Sequence, residues 1–129
     1  MLKLKKSLII LMLALVAVMF VSCAKAITVP DTNAVLTFKY GDIDVVVELT
    51  AEESETIRSI FNKERPHQDN PSCGFTENVS VRFDDSVFCV ACDNCSIIEY
   101  QGQYFSISDN ERETIVQIFE KHGGFFPCE

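Results

Sequence analysis

Apolar and polar positions follow two different periods along most of this chain. Val35 to Tyr40 and Ile43 to Leu49 run with the two-residue alternation of strands and flank Gly41-Asp42, a hairpin turn signal. The run Val45-Val46-Val47 is β-branched and apolar throughout, the pattern of a well-buried strand. Val79 to Phe83 and Val87 to Ala91 form a second pair around Asp84-Asp85. Cys95 to Tyr100 and Tyr104 to Ile107 form a third around Gln101-Gly102. Helical spacing replaces alternation twice. Ile57, Ile60 and Phe61 share one face at i, i+3, i+4, and so do Ile115, Ile118 and Phe119. The spacing predicts helices over 51–63 and 109–122.

Both helices carry the same start signal. Thr50-x-x-Glu53 and Ser108-x-x-Glu111 fit a capping box, and Leu49 and Ile107 stand where a hydrophobic staple residue would. At an offset of 58, Leu49–Lys63 lies on Ile107–Lys121 with seven identities in 15 positions. The identities are Glu53, Glu55, Thr56, Ile57, Ile60, Phe61 and Lys63 with Glu111, Glu113, Thr114, Ile115, Ile118, Phe119 and Lys121. Two helices obeying the same rules would share part of this. His122 falls in a last turn and Gly123-Gly124 supplies a stop. The layout is ββα, loop, ββ, ββα. It predicts an α+β fold: a small antiparallel sheet of two ββα units plus a central hairpin, with both helices on one face and the other face partly wet. The loop from Glu64 to Asn78 is broken by Pro66, Pro71 and Gly74.

The start of the chain has no period. Lys3, Lys5 and Lys6 precede an apolar run of 14 residues from Leu8 to Val21, followed by Ser22-Cys23. A spanning helix needs about 20 apolar residues; a run of this length fits the apolar region of a signal peptide. Residues 1–23 resemble the signal peptide and lipobox of bacterial lipoproteins. The resemblance implies cleavage before Cys23, lipidation of that residue and membrane anchoring on the cell envelope. It departs from the common pattern at Phe20, where Leu is usual. An uncleaved anchor helix, or secretion with cleavage elsewhere, are the alternatives. Residues 1–22 then form the signal peptide, 23–33 a lipidated tether containing Pro30, and 34–129 one domain.

Removing residues 1–22 leaves eight basic residues against nineteen acidic ones, a formal charge of −11. Such a surface repels nucleic acid and anionic headgroups, which leaves solubility or a basic partner as its use. The partners expected are therefore the membrane, through the lipid on Cys23, and a protein.

Five cysteines follow Cys23: Cys73, Cys89, Cys92, Cys95 and Cys128. Outside the cytoplasm disulfides are the default, and an odd count leaves one thiol over. If Asp84-Asp85 is a two-residue turn, Cys73 falls beside Cys95 and near Cys92. A Cys73–Cys95 bridge would tie the long loop to the sheet, and Cys128 would tie the tail to Cys89 or Cys92. Cys89-x2-Cys92-x2-Cys95 matches the first three ligands of a bacterial ferredoxin run, but Glu99-Tyr100 stands where the fourth Cys and its Pro belong. Zinc on Cys89, Cys92, Cys95 and Cys128 is the remaining metal reading. A redox pair in either CxxC would want a helix N-terminus, whereas strand follows here and Asp84, Asp85 and Asp93 would raise the thiol pKa.

No GxSxG, P-loop, HExxH or Rossmann pattern occurs, and no cofactor is implied. His67 and His122 are explained by a polar loop and a helix C-terminus. Phe75, Phe125 and Phe126 flank Cys73 and Cys128, as a satellite core or as a binding surface formed by loop and tail together. The leading expectation is a lipid-anchored, non-enzymatic binding or inhibitory module. A thiol–disulfide or metal-handling protein built on Cys89, Cys92 and Cys95 is the alternative.

Overall fold

The computed structural model describes residues 2–19, 27–62, 66 and 71–127. A first helix, α1 (Leu2–Met19), takes in the basic start and most of the apolar run, and its side chains from Lys3 to Ala14 are exposed. Among the described residues, no helix is long and apolar enough to cross a membrane.

The rest is an α+β fold. The strands are β1 (Val35–Tyr40), β2 (Ile43–Glu48), β3 (Val79–Phe83), β4 (Ser86–Val90), β5 (Ile97–Tyr100) and β6 (Gln103–Ser106), and the helices are α2 (Ala51–Phe61) and α3 (Asp109–Gly123). All neighbouring strands are antiparallel, in the order β2-β1-β3-β4-β5-β6. The order and strand directions read the same from either edge, with the β3–β4 hairpin at the centre. The three hairpins close on two-residue turns. Gln101 and Gly102 both take positive φ, the type I′ requirement, and Asp84 takes φ 54°.

One face of the sheet carries the core. A row of partners, Val47, Leu36, Val81, Phe88 and Tyr100, crosses five strands, and a second runs through Val90, Ile98 and Phe105. Both helices pack on this face. Phe61 of α2 stacks on Phe88 at 4.5 Å between ring centroids and meets Phe83 and Phe105 edge-on. Phe119 of α3 lies 6.2 Å from Phe38 of β1, and a Cβ on Gly123 would come within 3.0 Å of the Phe38 ring. Each helix thus covers strands outside its own ββα unit: α2 lies over β3, β4 and β6, and α3 over β1 and β2.

β2 corrects one expectation. It is an edge strand, not a well-buried one. Val45 and Val47 pack against the core, but Val46 faces outward and is 59% exposed.

Both capping boxes form. The Glu53 N–H donates to Thr50 Oγ1 at 3.1 Å and Thr50 N–H to Glu53 Oε1; Ser108 and Glu111 repeat the pair. Gly124 ends α3 in the left-handed region at φ 88°. The two units also repeat a subtler tie. Leu49 N–H donates to Ala34 O, and Ile107 N–H donates to Ser96 O, closing each hairpin at its open end. The residues at matched positions in the helices, Ser54 and Arg112, bond the same region: Ser54 Oγ accepts from Ala34 N–H at 2.9 Å, and Arg112 Nε donates to Cys95 O at 3.0 Å.

The packed region reaches back to Ile27, into the stretch 23–33 read as a tether. Ile27 and Val29 are buried in the core, and Val29 N–H donates to Asn62 Oδ1. The buried Arg58 donates to the carbonyls of Pro30 and Thr32, pairs with Glu55 and lies over the Phe83 ring. Ile27 and Val29 alternate about the exposed Thr28, but three residues ahead of Pro30 are too short a run for the pattern to announce a packed segment.

Candidate functional site

The face away from the helices is where this domain differs along its width. A row of residues in register crosses all six strands there: Val46, Thr37, Ser80, Cys89, Glu99 and Tyr104. The chain leading into β3 crosses part of it. Asn78 O accepts from Lys39 N–H beside β1, while Phe75, three residues earlier, sets its ring 5.4 Å from that of Tyr104 on β6. Residues 73–78 therefore strap the open face across β4 and β5.

The strap is pinned at its far end. A disulfide joins Cys73 to Cys95. Gly74 N–H donates to the Asp93 carboxylate at 3.1 and 3.2 Å, and Cys92 N–H donates back to Gly74 O at 2.9 Å. Arg112 holds the same turn from the helix side through the carbonyls of Cys95 and Asp93.

The cysteines separate by face. Phe88 and Val90 point to the core, and Cys92 packs against it. Cys89 alternates to the open face, yet it is buried. Burial, and then the carboxylates of Glu99 and Glu77, push its thiol up to about 11. A thiol so held is a poor nucleophile and a poor metal ligand, because both roles need the thiolate. Cys89, Cys92 and Cys95 consequently do not converge as one ligand set. Cys73, Asp93 and Cys95 do bring ligand atoms within 4.8 Å of one another, but the two sulfurs are bonded to each other. Cys23, Cys128 and His67 lie outside the described residues.

Beside the strap, no other described segment covers the open face. A cleft of about 230 Å³ lies over β1, β3 and β4. Thr37 and Ser80 form its floor, and Lys39, Glu77, Asn78, Arg82 and Val87 stand around it. Lys39 lies 3.9 Å from Asp44; Arg82 is exposed, with Val35 and Val87 beside it in the sheet. Two cations, the Thr37 hydroxyl and the Asn78 amide outnumber the one acid there, Glu77, and suit an extended segment that presents a carboxylate, while the Ser80 hydroxyl already donates to Glu77 O.

The aromatic candidates do not form one surface. Phe126, expected at a binding surface, is buried against Phe119 and under the Arg112 guanidinium. Phe125 is 37% exposed and packs edge-on against Phe38 and Tyr40, at the helix-side end of β1. Phe75 is on the opposite face. Loop and tail are kept apart because the tail folds back along α3 while the strap crosses the open face.

His122 does more than fit a helix end. Its Nε2 donates to Glu53 Oε2 at 3.1 Å, joining the last turn of α3 to the first turn of α2. Burial raises the Glu53 pKa, but the bonds from His122 and Thr50 outweigh it and hold the carboxyl below its ordinary range.

The sequence reading missed Arg58, Arg82 and Arg112. Arg58 is three before Phe61, and Arg112 three before Ile115, so helical spacing already put both on apolar faces. Compared with known proteins, the chain matches no family model, no curated protein and no solved structure.

Proposed function

We propose that this chain is a bacterial lipoprotein whose folded domain is a non-enzymatic binding or inhibitory module. The carrying observation is the start of the chain: three lysines, 14 apolar residues, then Ser22-Cys23. Export through such a leader delivers the domain to an oxidising compartment, and the Cys73–Cys95 disulfide fits that destination. Acylation of Cys23 with two or more chains gives stable anchoring, since one chain alone holds only marginally. The domain would then sit on the cell envelope, close to the membrane.

The binding surface we assign is the half of the open sheet face that no other described segment covers, with the strap as its wall. A pinned strap lowers the ordering cost of association. The partner is a protein that lays a carboxylate-bearing segment against Arg82 and Lys39. Against the alternative redox or metal reading stands the placement of Cys89, on the other face from Cys92 and with its thiol at about 11.

Two measurements test this. Mass spectrometry of the membrane-extracted protein should find a lipid adduct on Cys23, and Cys23→Ala should leave a precursor or a released form. Absence of the adduct with unchanged membrane retention rejects the lipoprotein reading. Cross-linking on intact cells should recover the same partner with wild type and Lys121→Ala, and lose most of it with Arg82→Glu. Equal recovery with Arg82→Glu removes the open face as the site.

A further inference from the structure

We infer that Cys128 forms a second disulfide with Cys92, leaving Cys89 as the unpaired thiol of the domain. The five cysteines of the domain admit Cys89 or Cys92 as its partner once Cys73 and Cys95 are joined. The path of the tail decides between them.

After Gly124 the chain reverses and runs back along α3. Phe125 is still beside Phe38 and Tyr40 at the C-terminal end of the helix. Phe126 packs on Phe119, and the Arg112 guanidinium lies 5.3 Å from its ring centroid. Arg112 in turn donates to Asp93 O and Cys95 O. The tail is therefore heading for the turn 92–95 when it reaches Pro127. From Phe126 to Cys128 two residues of extended chain span about 7 Å, and a disulfide bridges Cα atoms about 4.4–6.8 Å apart.

The faces settle the choice. Cys92 packs against the core, on the same side of the sheet as Phe126. Cys89 is on the other side, opposite Ser80 and Glu99 and buried. A tail emerging at Phe126 would have to round the sheet to meet it, and two residues do not suffice. Bond formation removes one proton and one electron from each thiol and joins the two Sγ atoms. A small-molecule disulfide such as oxidised glutathione takes up both electrons and both protons and is reduced to two thiols.

The consequence is a turn that anchors chain on both faces. Cys95 holds the strap on the open face, and Cys92 holds the tail on the helix face, with only Asp93 and Asn94 between them.

The test is a disulfide map of the full chain, solubilised in detergent and oxidised with a glutathione couple. The protein is then denatured without reductant, alkylated, and cleaved before aspartate, which separates Cys92 from Cys95 at Asp93. The expected map joins Asp85–Cys92 to the C-terminal peptide, with the alkyl label on Cys89 in the fragment spectrum. Cys89→Ala should keep the bridge, and Cys92→Ala should put the label on Cys128. Cys128 found joined to Cys89, or labelled in the wild-type protein, overturns the inference whether or not the Cys73–Cys95 bridge has formed.

Discussion

Cys89 shows how one residue's position can silence its chemistry. By sequence it belongs to two overlapping candidate motifs; in the fold, alternation along β4 turns it away from Cys92, and burial beside Glu99 and Glu77 keeps it protonated. An ordinary thiol ionises near 8.5. At pH 8 the native protein should therefore alkylate at Cys89 at least about 100-fold more slowly than the unfolded chain. Because the folded value is raised, this group favours the fold below the ordinary value, and that contribution is lost as pH rises toward 11. Alkylation followed by mass spectrometry across pH 7–11 measures both. A native rate equal to that of the unfolded chain would contradict the placement.

Gly123 is the second residue whose environment could not be read from its neighbours in sequence. A stop signal was visible in Gly123-Gly124, and Gly124 is indeed the left-handed cap. Gly123 is still helical and faces the fully buried Phe38 ring, itself held by Phe119 and Phe125. Alanine there gains about 1 kcal/mol of helix propensity but overpacks a ring that has no room to move, at about 1–3 kcal/mol. Gly123→Ala should lower stability by about 1 kcal/mol in chemical denaturation, against the usual gain for this exchange in a helix.

At the scale of elements, the helix starts and hairpin turns were legible because their signals are local. A capping box needs four residues, a two-residue turn needs two, and the register inside each hairpin follows from its turn. What sequence could not give was the partner of each element. The arginines at positions 58 and 112 sit on apolar faces by spacing, and only the fold shows that each reaches backbone carbonyls just ahead of the hairpin that precedes its helix. His122 is the same case, since its partner Glu53 is 69 positions distant.

That cross-helix contact carries a pH prediction. The Glu53 carboxyl is held low in the fold, so its ionised form contributes stability above the ordinary carboxylate range, and the contribution is lost as pH falls through the folded value. Glu53→Gln should cost about 1–2 kcal/mol at pH 7, and the gap to wild type should close toward pH 3. Ser108→Ala removes a cap without this pairing and should cost about 1 kcal/mol. Urea titrations at pH 7 and pH 3.5 separate the two. A Glu53→Gln deficit that is constant with pH would show that the charge is not what His122 and Thr50 recognise.

On the scale of the whole molecule, the α+β class and the two helices on one face followed from periodicity, but the use of the second face did not. The strap is read from sequence only as a polar, Pro-broken loop, because a segment that lies flat on a sheet has neither helical nor strand period. Its pin was legible: the hairpin register places Cys73 near Cys95. Cys73→Ala should lower stability by roughly 3 kcal/mol in the chain-entropy account of a closed loop this long and expose Cys89 to alkylation, while the far-UV spectrum of the folded protein stays the same. If Cys89 stays protected in that variant, the strap does not depend on its pin.

The exchange of cover between the two ββα units bears on how this protein can be divided. Neither helix lies over the hairpin that precedes it, so a chain ending before Val79 would leave α2 without the aromatic ring set of β3, β4 and β6, and Phe38 without Phe119. A polypeptide stopped there has no core of its own and should stay uncollapsed until the last helix is made. The same interlock makes complementation available: two separately produced fragments, 24–70 and 71–129, should each be unstructured alone and reconstitute one native molecule when mixed. Two full-length chains refolded at high concentration could trade halves in the same way, giving an intertwined dimer with every native contact preserved.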